Sequence, residues 1–449
     1  MPICVEMLTS ADAATAPEAS RAGTVPVAPS RPGVIRLQAI PGLRFVLGTV
    51  LGTRLLVWGA ALAVIAIFGE DAVARHVLDP AGVTPPVHAD ILRQLLAPGA
   101  RWDSVWYVQI AAHGYFSPAS TNFFPLYPLL VHLLTAVLGS PLVAGIAISL
   151  GCLTAALILL YRLALLDVGE PAARMTVLLV AVFPASLFLS AIYPTSLYLM
   201  LTLAALYAAR RDQWAVAGLC GGLVAVTRSN GILVLALLAL VYLYGPRGRS
   251  ALPDRAGAWW RPRFRLERDF LWLALVPLGL ATYLGYLWLA HDAPLEPYRA
   301  ARLYWEHSFG PPLGGIAYAL GQLPGDLGAL IRGQFTPLGF GDPIGWQARN
   351  LIDILFLALA LGCAVMAWRR VPRPYVLYSA LLLAQVTSFP GPHEPMIGLP
   401  RYMLGMFGLF MGAGAYLAEH RRTARAMVMV SGILLVVFSG LWGSWSLVP

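Results

Sequence analysis

Runs of predominantly apolar residues, each up to about 20 long, recur from residue 45 to the end of this chain, and they restrict its fold more than any other feature. A helix of that length crosses the hydrocarbon core of a bilayer, where every backbone amide has to be satisfied inside its own segment. Candidate spans lie near 45–68, 142–162, 175–192, 194–209, 215–227, 231–244, 270–290, 351–368, 375–390, 402–418 and 426–444. Composition agrees, with 58% of the 449 residues hydrophobic, only 12% charged and a mean hydropathy of +0.70, outside the range of soluble domains. The expected fold class is an all-α polytopic membrane protein, a multi-span helical bundle of about 10–12 transmembrane helices.

Charge distribution orients the spans. All 31 basic residues are Arg, so a phosphate held by a basic side chain must be held by Arg or His. The net charge of +9 comes from arginines that sit mostly in short loops between spans, which is a topology signal and not a basic groove, so no nucleic acid is expected as a partner. Placing Arg162/Arg174, Arg210/Arg211, the 247–268 loop, Arg369/Arg370/Arg373 and Arg421/Arg422/Arg425 in the cytoplasm leaves residues 69–122, 291–350 and 391–401 outside. The same count puts Tyr193-Pro194 and Arg228-Ser229-Asn230 at the outer ends of hairpins. Residues 123–139 resist the scheme, because a full crossing there would put Arg162 and Arg174 on the wrong side. Either this segment is re-entrant or interfacial, the preferred reading, or the charge rule fails locally. Residues 1–40, rich in Ala, Pro, Ser and Arg, read as a disordered cytoplasmic tail and not as a signal peptide. Residues 41–449 then form one transmembrane domain, with interfacial helices in the outer loops 69–122 and 291–350. The four cysteines (Cys4, Cys152, Cys220, Cys363) fit neither a disulfide framework nor zinc-ligand spacing.

The segment Arg101–Tyr115, RWDSVWYVQIAAHGY, is followed by FFPLYP at 123–128 and is the densest in chemistry. As a helix it places Trp102, Val105, Trp106 and Ile110 on one face, as suits an interfacial helix, and Asp103 with Tyr107 on a neighbouring face. Asp103 is then either a base facing a site beneath that helix, or a plain N-cap or salt-bridge partner of Arg101. Phe183-Pro184-Ala185-Ser186 and Tyr193-Pro194-Thr195-Ser196 put two hydroxyl-bearing proline turns in one apolar hairpin, suited equally to lining a polar cavity or to ordinary kinks. The flanking spans 215–227 and 231–244 are short, so Arg228, Ser229 and Asn230 should lie inside the outer leaflet. An Arg at such depth either faces a cavity and binds an anion or snorkels to the surface. Glu296–Arg299 and Trp305-Glu306-His307 mix charge and aromatics, while His393, Glu394 and Arg401 share the last large outer turn. Arg401 reads as a second phosphate contact or as an anchor. No GxxxxGK[ST] loop, metal-type carboxylate pair or Ser/His/Asp arrangement is evident, so neither a cofactor nor a metal is expected.

Taken together, RWDSVWYVQIAAHGY with FFPLYPLL, FPASLFLSAIYPTSLYL, TRSNG at 227–231, PLEPYRAARLYW and PRYML at 400–404 resemble, in order, the motifs of the bacterial PIG-V-like mannosyltransferases. These are relatives of the second mannosyltransferase of GPI-anchor assembly, within the GT-C glycosyltransferase superfamily, and the resemblance covers roughly residues 45–445. It implies a GT-C fold with its site on the outer face, a polyprenyl-phosphate-linked sugar donor, typically mannose, and inversion at the anomeric carbon. Asp103 corresponds to the catalytic acid residue, which would deprotonate an acceptor hydroxyl. Arg228, Ser229, Asn230 and Arg401 would hold the phosphate, while Arg101, Trp102, Trp106, Tyr107, Ser186 and Trp305 complete the substrate-binding set. The implied partners are the lipid-linked donor, a glycolipid, glycan or glycoprotein acceptor, and membrane lipids, at a bacterial plasma membrane. Two other readings stay open: a flippase for a lipid-linked sugar, disfavoured because no inverted repeat relates the two halves, and a GT-C transferase of another sugar or for a protein acceptor.

Overall fold

In a computed structural model, residues 41–85, 90–248, 261–337, 341–391, 394–446 and 448 are described. The tail expected over 1–40 lies outside them, as does His393. Among the described residues there is no strand. The α-helices are α1 Leu43–Phe68, α2 Ala72–Leu78, α3 Ile91–Leu96, α4 Ser104–His113, α5 Leu126–Leu138, α6 Pro141–Val168, α7 Glu170–Val182, α8 Thr195–Arg210, α9 Trp214–Ala225 and α10 Val234–Tyr244. They continue as α11 Leu275–His291, α12 Glu296–Tyr304, α13 Gly314–Ile331, α14 Gly345–Trp368, α15 Arg373–Thr387, α16 Leu399–Met403, α17 Phe407–Glu419 and α18 Arg421–Gly443.

Among the described residues, five helical segments are long and apolar enough to cross a membrane: α1, α6, Arg268–His291 (a 3-10 turn running into α11), α14 and α18. The other apolar elements fall short of a full crossing. Helices α9 and α10 hold 12 and 11 residues, about 18 and 17 Å at 1.5 Å per residue against a hydrocarbon core of about 30 Å. Helix α5, which covers the ambiguous 123–139 segment, holds 13 residues, or about 20 Å.

Small residues decide which helices touch. Helix α8, with its LAALYAAR end, is buried along almost its whole length and packs against α6 and α9. A Cβ on Gly279 of α11 would lie 2.3 Å from the Gly222 carbonyl oxygen of α9, so these two helices meet backbone to backbone and tolerate no side chain there. Gly443 of α18 meets the Ala61 backbone of α1 in the same way, and Gly440 leaves room for the Val64 side chain. This is the close approach that membrane helices use where no hydrophobic driving force separates helix from lipid.

The described parts of loops 69–122 and 291–350 close over one end of the bundle. Helix α12 packs on the 3-10 turn Pro118–Asn122, and Trp305 lies 6.1 Å from Trp106 and 5.6 Å from Phe123, ring centre to ring centre. The helix α4 that these loops share is not loosely interfacial, since Val105, Tyr107, Val108, Ile110 and Ala111 are all buried. A second clamp works from below. Arg54, on the long apolar helix α1, is buried and donates to the Ser186 carbonyl at 2.6 Å, the Ser190 Oγ at 3.0 Å and the Ala181 carbonyl at 2.9 Å. The proline turn 183–190 is thereby fixed to α1, and with it the ring of Phe188 and the Tyr193 that follows.

Candidate functional site

Two clefts open beneath these loops and share one wall. The first, of about 350 Å³, is lined by Trp102, Asp103, Trp106, Trp305, Arg349, Asp353, Glu394 and Arg401, among others. The second, of about 470 Å³, is lined by Asp103, Tyr107, Thr195, Arg228, Ser229, Asn230, Arg401 and Tyr402, with apolar Ile232, Leu233, Leu280 and Leu284. Asp103, Asn122, Phe123, Tyr193, His307 and Arg401 border both.

The backbone sets Asp103 up for this position. Trp102 adopts φ +53°, a left-handed conformation unusual for a bulky residue, and the turn it makes delivers Asp103 to the start of α4. The Asp103 N–H donates to the Tyr193 hydroxyl at 2.9 Å. Although Asp103 occupies the N-cap, its side chain makes no cap hydrogen bond. The carboxylate instead accepts from Arg401 Nη1 at 3.1 Å through Oδ2. Of the two bland readings of this acid, capping and pairing with Arg101, the structure contains neither.

Arg401 is fixed from several sides. Its guanidinium lies 5.4 Å from the Phe188 ring, 5.7 Å from Tyr193 and 5.9 Å from Tyr402, and its buried Nε has no hydrogen-bond partner. Tyr402 serves a second arginine, since Arg228 stands 4.7 Å from the same ring and 5.7 Å from Tyr198. Arg228 precedes a 3-10 turn, Ser229–Leu233, whose Asn230 is buried with Oδ1 unpartnered. The turn can form because Gly231 sits on α9: a Cβ there would lie 2.1 Å from the Val224 carbonyl oxygen.

One contributor to the second cleft was flagged in the sequence only as part of a hairpin turn. Thr195 begins α8, which no side chain caps, and its buried Oγ1 has no partner. A sixteen-residue helix thus presents its N-terminal dipole end, with free amides, to the cleft that also holds Arg228.

The residues expected from sequence divide clearly. Asp103, Trp102, Trp106, Tyr107, Arg228, Ser229, Asn230, Trp305 and Arg401 line one cleft or both. Arg101 and Ser186 line neither. Arg101 is fully buried, donates through Nε to the Gly443 carbonyl at 3.1 Å, stands 3.5 Å from Glu70 and 5.1 Å from the Trp445 ring, and so pins the outer loop to the end of α18. Ser186 is fully buried in the grip of Arg54 and donates to the Ala181 carbonyl.

Sequence reasoning passed over two residues of the first cleft, Arg349 and Asp353, and named His307 and Glu394 only within outer-turn clusters, without a role. For Arg349 and Asp353 a signal existed, because an Arg and an Asp four residues apart open a long apolar helix, and ionisable residues in such helices usually serve a site. Glu394 is pushed up to about 7 by burial, against Arg349, which opposes the shift. His307 is lowered by burial and by Arg401, so its imidazole is neutral near pH 7.

Comparison with known proteins supplies a name for these motifs. The family described as Mannosyltransferase (PIG-V) matches residues 46–245. GPI alpha-1,6-mannosyltransferase 2 of Mus musculus is 34% identical over 225 residues, covering 46% of this chain and 44% of that protein. Its Rattus norvegicus counterpart is 31% identical over 173 residues, 35% of each. The chain therefore spans less than half the length of the curated relatives it matches. Among solved structures, the Archaeoglobus fulgidus oligosaccharyltransferase tethered to an acceptor peptide aligns with 79% of this chain and 51% of its own, at a TM-score of 0.39 and 12% identity. The matched stretch, 46–245, includes Asp103, Tyr193 and Arg228, and over it the chain is similar to the mannosyltransferase (PIG-V) family.

Proposed function

We propose that this protein is an integral-membrane GT-C glycosyltransferase that moves a mannosyl residue from a polyprenyl-phosphate donor to an acceptor hydroxyl on the outer face of a bacterial plasma membrane. The observation that carries the reading is the position of the Asp103 carboxylate, at the junction of the two clefts, uncapped and oriented by Arg401. The second cleft suits the donor. Its apolar side, formed by Ile232, Leu233, Leu280 and Leu284, accepts the first isoprene units, while Arg228, Asn230 and the N-terminus of α8 offer donors to the phosphate.

A sugar bound there has its anomeric carbon beneath Asp103. An acceptor hydroxyl arriving from the first cleft meets that carbon on the face opposite the phosphate. Asp103 removes the hydroxyl proton, the new C–O bond forms as the C–O bond to phosphate breaks, and the configuration inverts. The phosphate leaves as an anion into preorganised N–H donors and a guanidinium, which strengthen as its charge develops. Arg401 holds the carboxylate through Oδ2 and leaves Oδ1 for the proton. Sugar and isoprenoid carry the phosphate's leaving-group activation with them, so neither nucleotide nor cofactor is needed.

The test is transfer of radiolabelled mannose from polyprenyl-phosphate mannose to acceptors in native membranes by wild type and by Asp103→Asn. Transfer by wild type, lost in the variant at equal folded amount, supports the assignment. Transfer retained by the variant removes the carboxylate from the mechanism, and a wild type that uses only another lipid-linked sugar overturns mannose.

A further inference from the structure

The clefts occupy one end of the bundle, and two of the helices beside them run to the other. Helix α14 carries Arg349 and Asp353 at the first cleft and ends at Trp368, while α17 follows the turn that holds Arg401 and ends at Glu419. At 1.5 Å per residue their far ends stand about 20 Å from the clefts. Towards that end, between α14, α17 and α18, lies an apolar crevice of about 150 Å³. It is bordered by Leu359 and Met366 of α14, Phe410 and Tyr416 of α17, and Thr423 and Met427 of α18. Thr423 is exposed, so the crevice opens to the outside of the bundle. Both α14 and α18 have the length and composition of membrane spans, so the medium it opens to is lipid.

The far end of this crevice is basic and largely uncompensated. Arg369, Arg370 and Arg373 follow the last turn of α14, Arg421, Arg422 and Arg425 open α18, and all six are exposed. Within residues 366–373 and 416–425 the sole acid is Glu419, which stands 3.9 Å from Arg370. Among the described residues, Arg369, Arg421, Arg422 and Arg425 have no carboxylate within ion-pairing distance. Elsewhere at this end arginines are neutralised, Arg174 by Glu170 and Arg210 by Asp167, each at 2.7 Å. Arg370 marks the mouth: its guanidinium lies 5.3 Å from the ring of Tyr416, which lines the crevice, and His420 stacks on the same ring with centres 4.1 Å apart. The positive-inside rule accounts for arginines at this end. It does not account for their concentration, almost without acids, around an apolar opening between helices.

We propose that this crevice binds an anionic phospholipid, with an acyl chain between α14, α17 and α18 and the headgroup phosphate against Arg370 and the arginines of the first turn of α18. Charge selects the headgroup. A phosphodiester meets guanidiniums that have no other partner. The ammonium of a zwitterionic lipid would meet the same cations, with Glu419 alone to receive it. A glycerol headgroup adds no cation, so phosphatidylglycerol fits the site and phosphatidylcholine does not. The site lies at the opposite end of the bundle from the clefts and holds whether or not they perform sugar transfer.

The experiment titrates the full chain, purified in detergent, with phosphatidylglycerol and with phosphatidylcholine of the same acyl chains, and counts bound lipids by native mass spectrometry. Expected for wild type is one phosphatidylglycerol held at least tenfold more tightly than phosphatidylcholine. Each basic residue beside an anionic headgroup contributes on the order of fivefold in affinity. Arg370→Gln combined with Arg421→Gln and Arg422→Gln should therefore bring phosphatidylglycerol down to the level of phosphatidylcholine. Two further variants make the test specific to this place. Arg44→Gln with Arg174→Gln and Arg211→Gln removes the same charge from other helices, where Arg174 and Arg211 lie against Phe45 and Tyr207, and should leave the preference intact. Thr423→Trp fills the mouth with an indole, keeps every arginine and should weaken phosphatidylglycerol tenfold or more. Equal binding of the two lipids to wild type overturns the proposal. So does an equal loss of preference in both triple variants, which would reduce the effect to net charge, and so does unchanged binding by Thr423→Trp. Should the triple variant at the mouth melt early, Arg370→Gln alone replaces it, with an expected loss of about fivefold; no loss there overturns the proposal as well.

Discussion

The two clefts that meet at Asp103 are built from opposite materials. The second joins apolar side chains from the turn 229–233 and α11 to the cation Arg228 and the amide end of α8. The first joins indole rings to the carboxyl groups of Asp353 and Glu394 and the guanidinium of Arg349. A single ion pair, Asp103–Arg401, divides them, with both residues bordering both spaces. On the proposed reading, the difference places phosphate donors in the second cleft, where the leaving group's charge would develop, and the carboxylate that would take the hydroxyl proton at the wall between the two. A general base works best on such a boundary, since it must attract a proton on one side without neutralising the anion stabiliser on the other.

The most damaging way to break this comparison is Asp103→Asn. General-base contributions run to about 10²–10⁴-fold, and loss of the Arg401 partner adds to that, so transfer should fall by about 10³-fold or more while donor binding persists. Steady-state rates with equilibrium binding of polyprenyl phosphate check both halves. A tenfold loss or less would mean that the carboxylate only orients Arg401. Next comes Arg228→Gln, which strips the cation from the second cleft but leaves the α8 amides. The expected loss is about 10²–10³-fold in kcat/KM, with most of it in donor terms and acceptor affinity unchanged. A loss confined to the acceptor would reverse the assignment of the two clefts.

How much of this was legible in the sequence depends on distance along the chain. Helix existence follows from local apolar runs, and so does the shortness of α9 and α10, which places Arg228 at a cleft. The pairing of Asp103 with Arg401 links residues 298 apart, and no local pattern encodes it. Arg101 and Arg401 illustrate the same limit. Each adjoins an aromatic residue in a short motif, yet burial beside Glu70 and the Gly443 carbonyl takes the first away from the site, while the second is aimed into it. Ser186 was read from its proline turn as a cavity residue; the side chain that claims it, Arg54, comes from a helix 132 positions away. Arg349 and Asp353 were the readable omissions: Asp353 is an acid inside the apolar span 351–368, and Arg349 fell outside that span although the helix starts at Gly345.

The first cleft should also reveal itself through pH. Burial raises the Glu394 carboxyl from 4.5 to about 7, so the folded state binds this proton more tightly than the unfolded chain does. Stability from this group is therefore complete below pH 4.5, declines as pH rises towards 7, and is level above that. At 1.36 kcal/mol per unit the cost at pH 8 is on the order of 3 kcal/mol. Glu394→Gln removes the titration, so thermal melts of the two proteins in nanodiscs should draw apart between pH 5 and 8, with the variant gaining relative to wild type. A parallel shift across the whole range would mean that Arg349 already neutralises the charge.

The smallest effect concerns a ring in the wall of the second cleft. Tyr402 lies between two guanidiniums, 4.7 Å from Arg228 and 5.9 Å from Arg401, and its π face is a soft anion surrogate that keeps two like charges close without neutralising either. A carboxylate in its place would pair with Arg228 and compete with the phosphate, whereas an aliphatic side chain would leave the cations facing each other. Tyr402→Leu should then cost about 1 kcal/mol, a roughly fivefold rise in donor KM with kcat nearly kept, and Tyr402→Phe, which retains the ring, should cost much less. Salt provides the sharper check, because the Leu variant alone leaves the repulsion exposed to screening. If its donor KM recovers towards wild type as ionic strength rises, the ring acts as an electrostatic spacer; if the KM defect ignores salt, the ring acts through packing and the placement of phosphate donors rests on the arginines themselves.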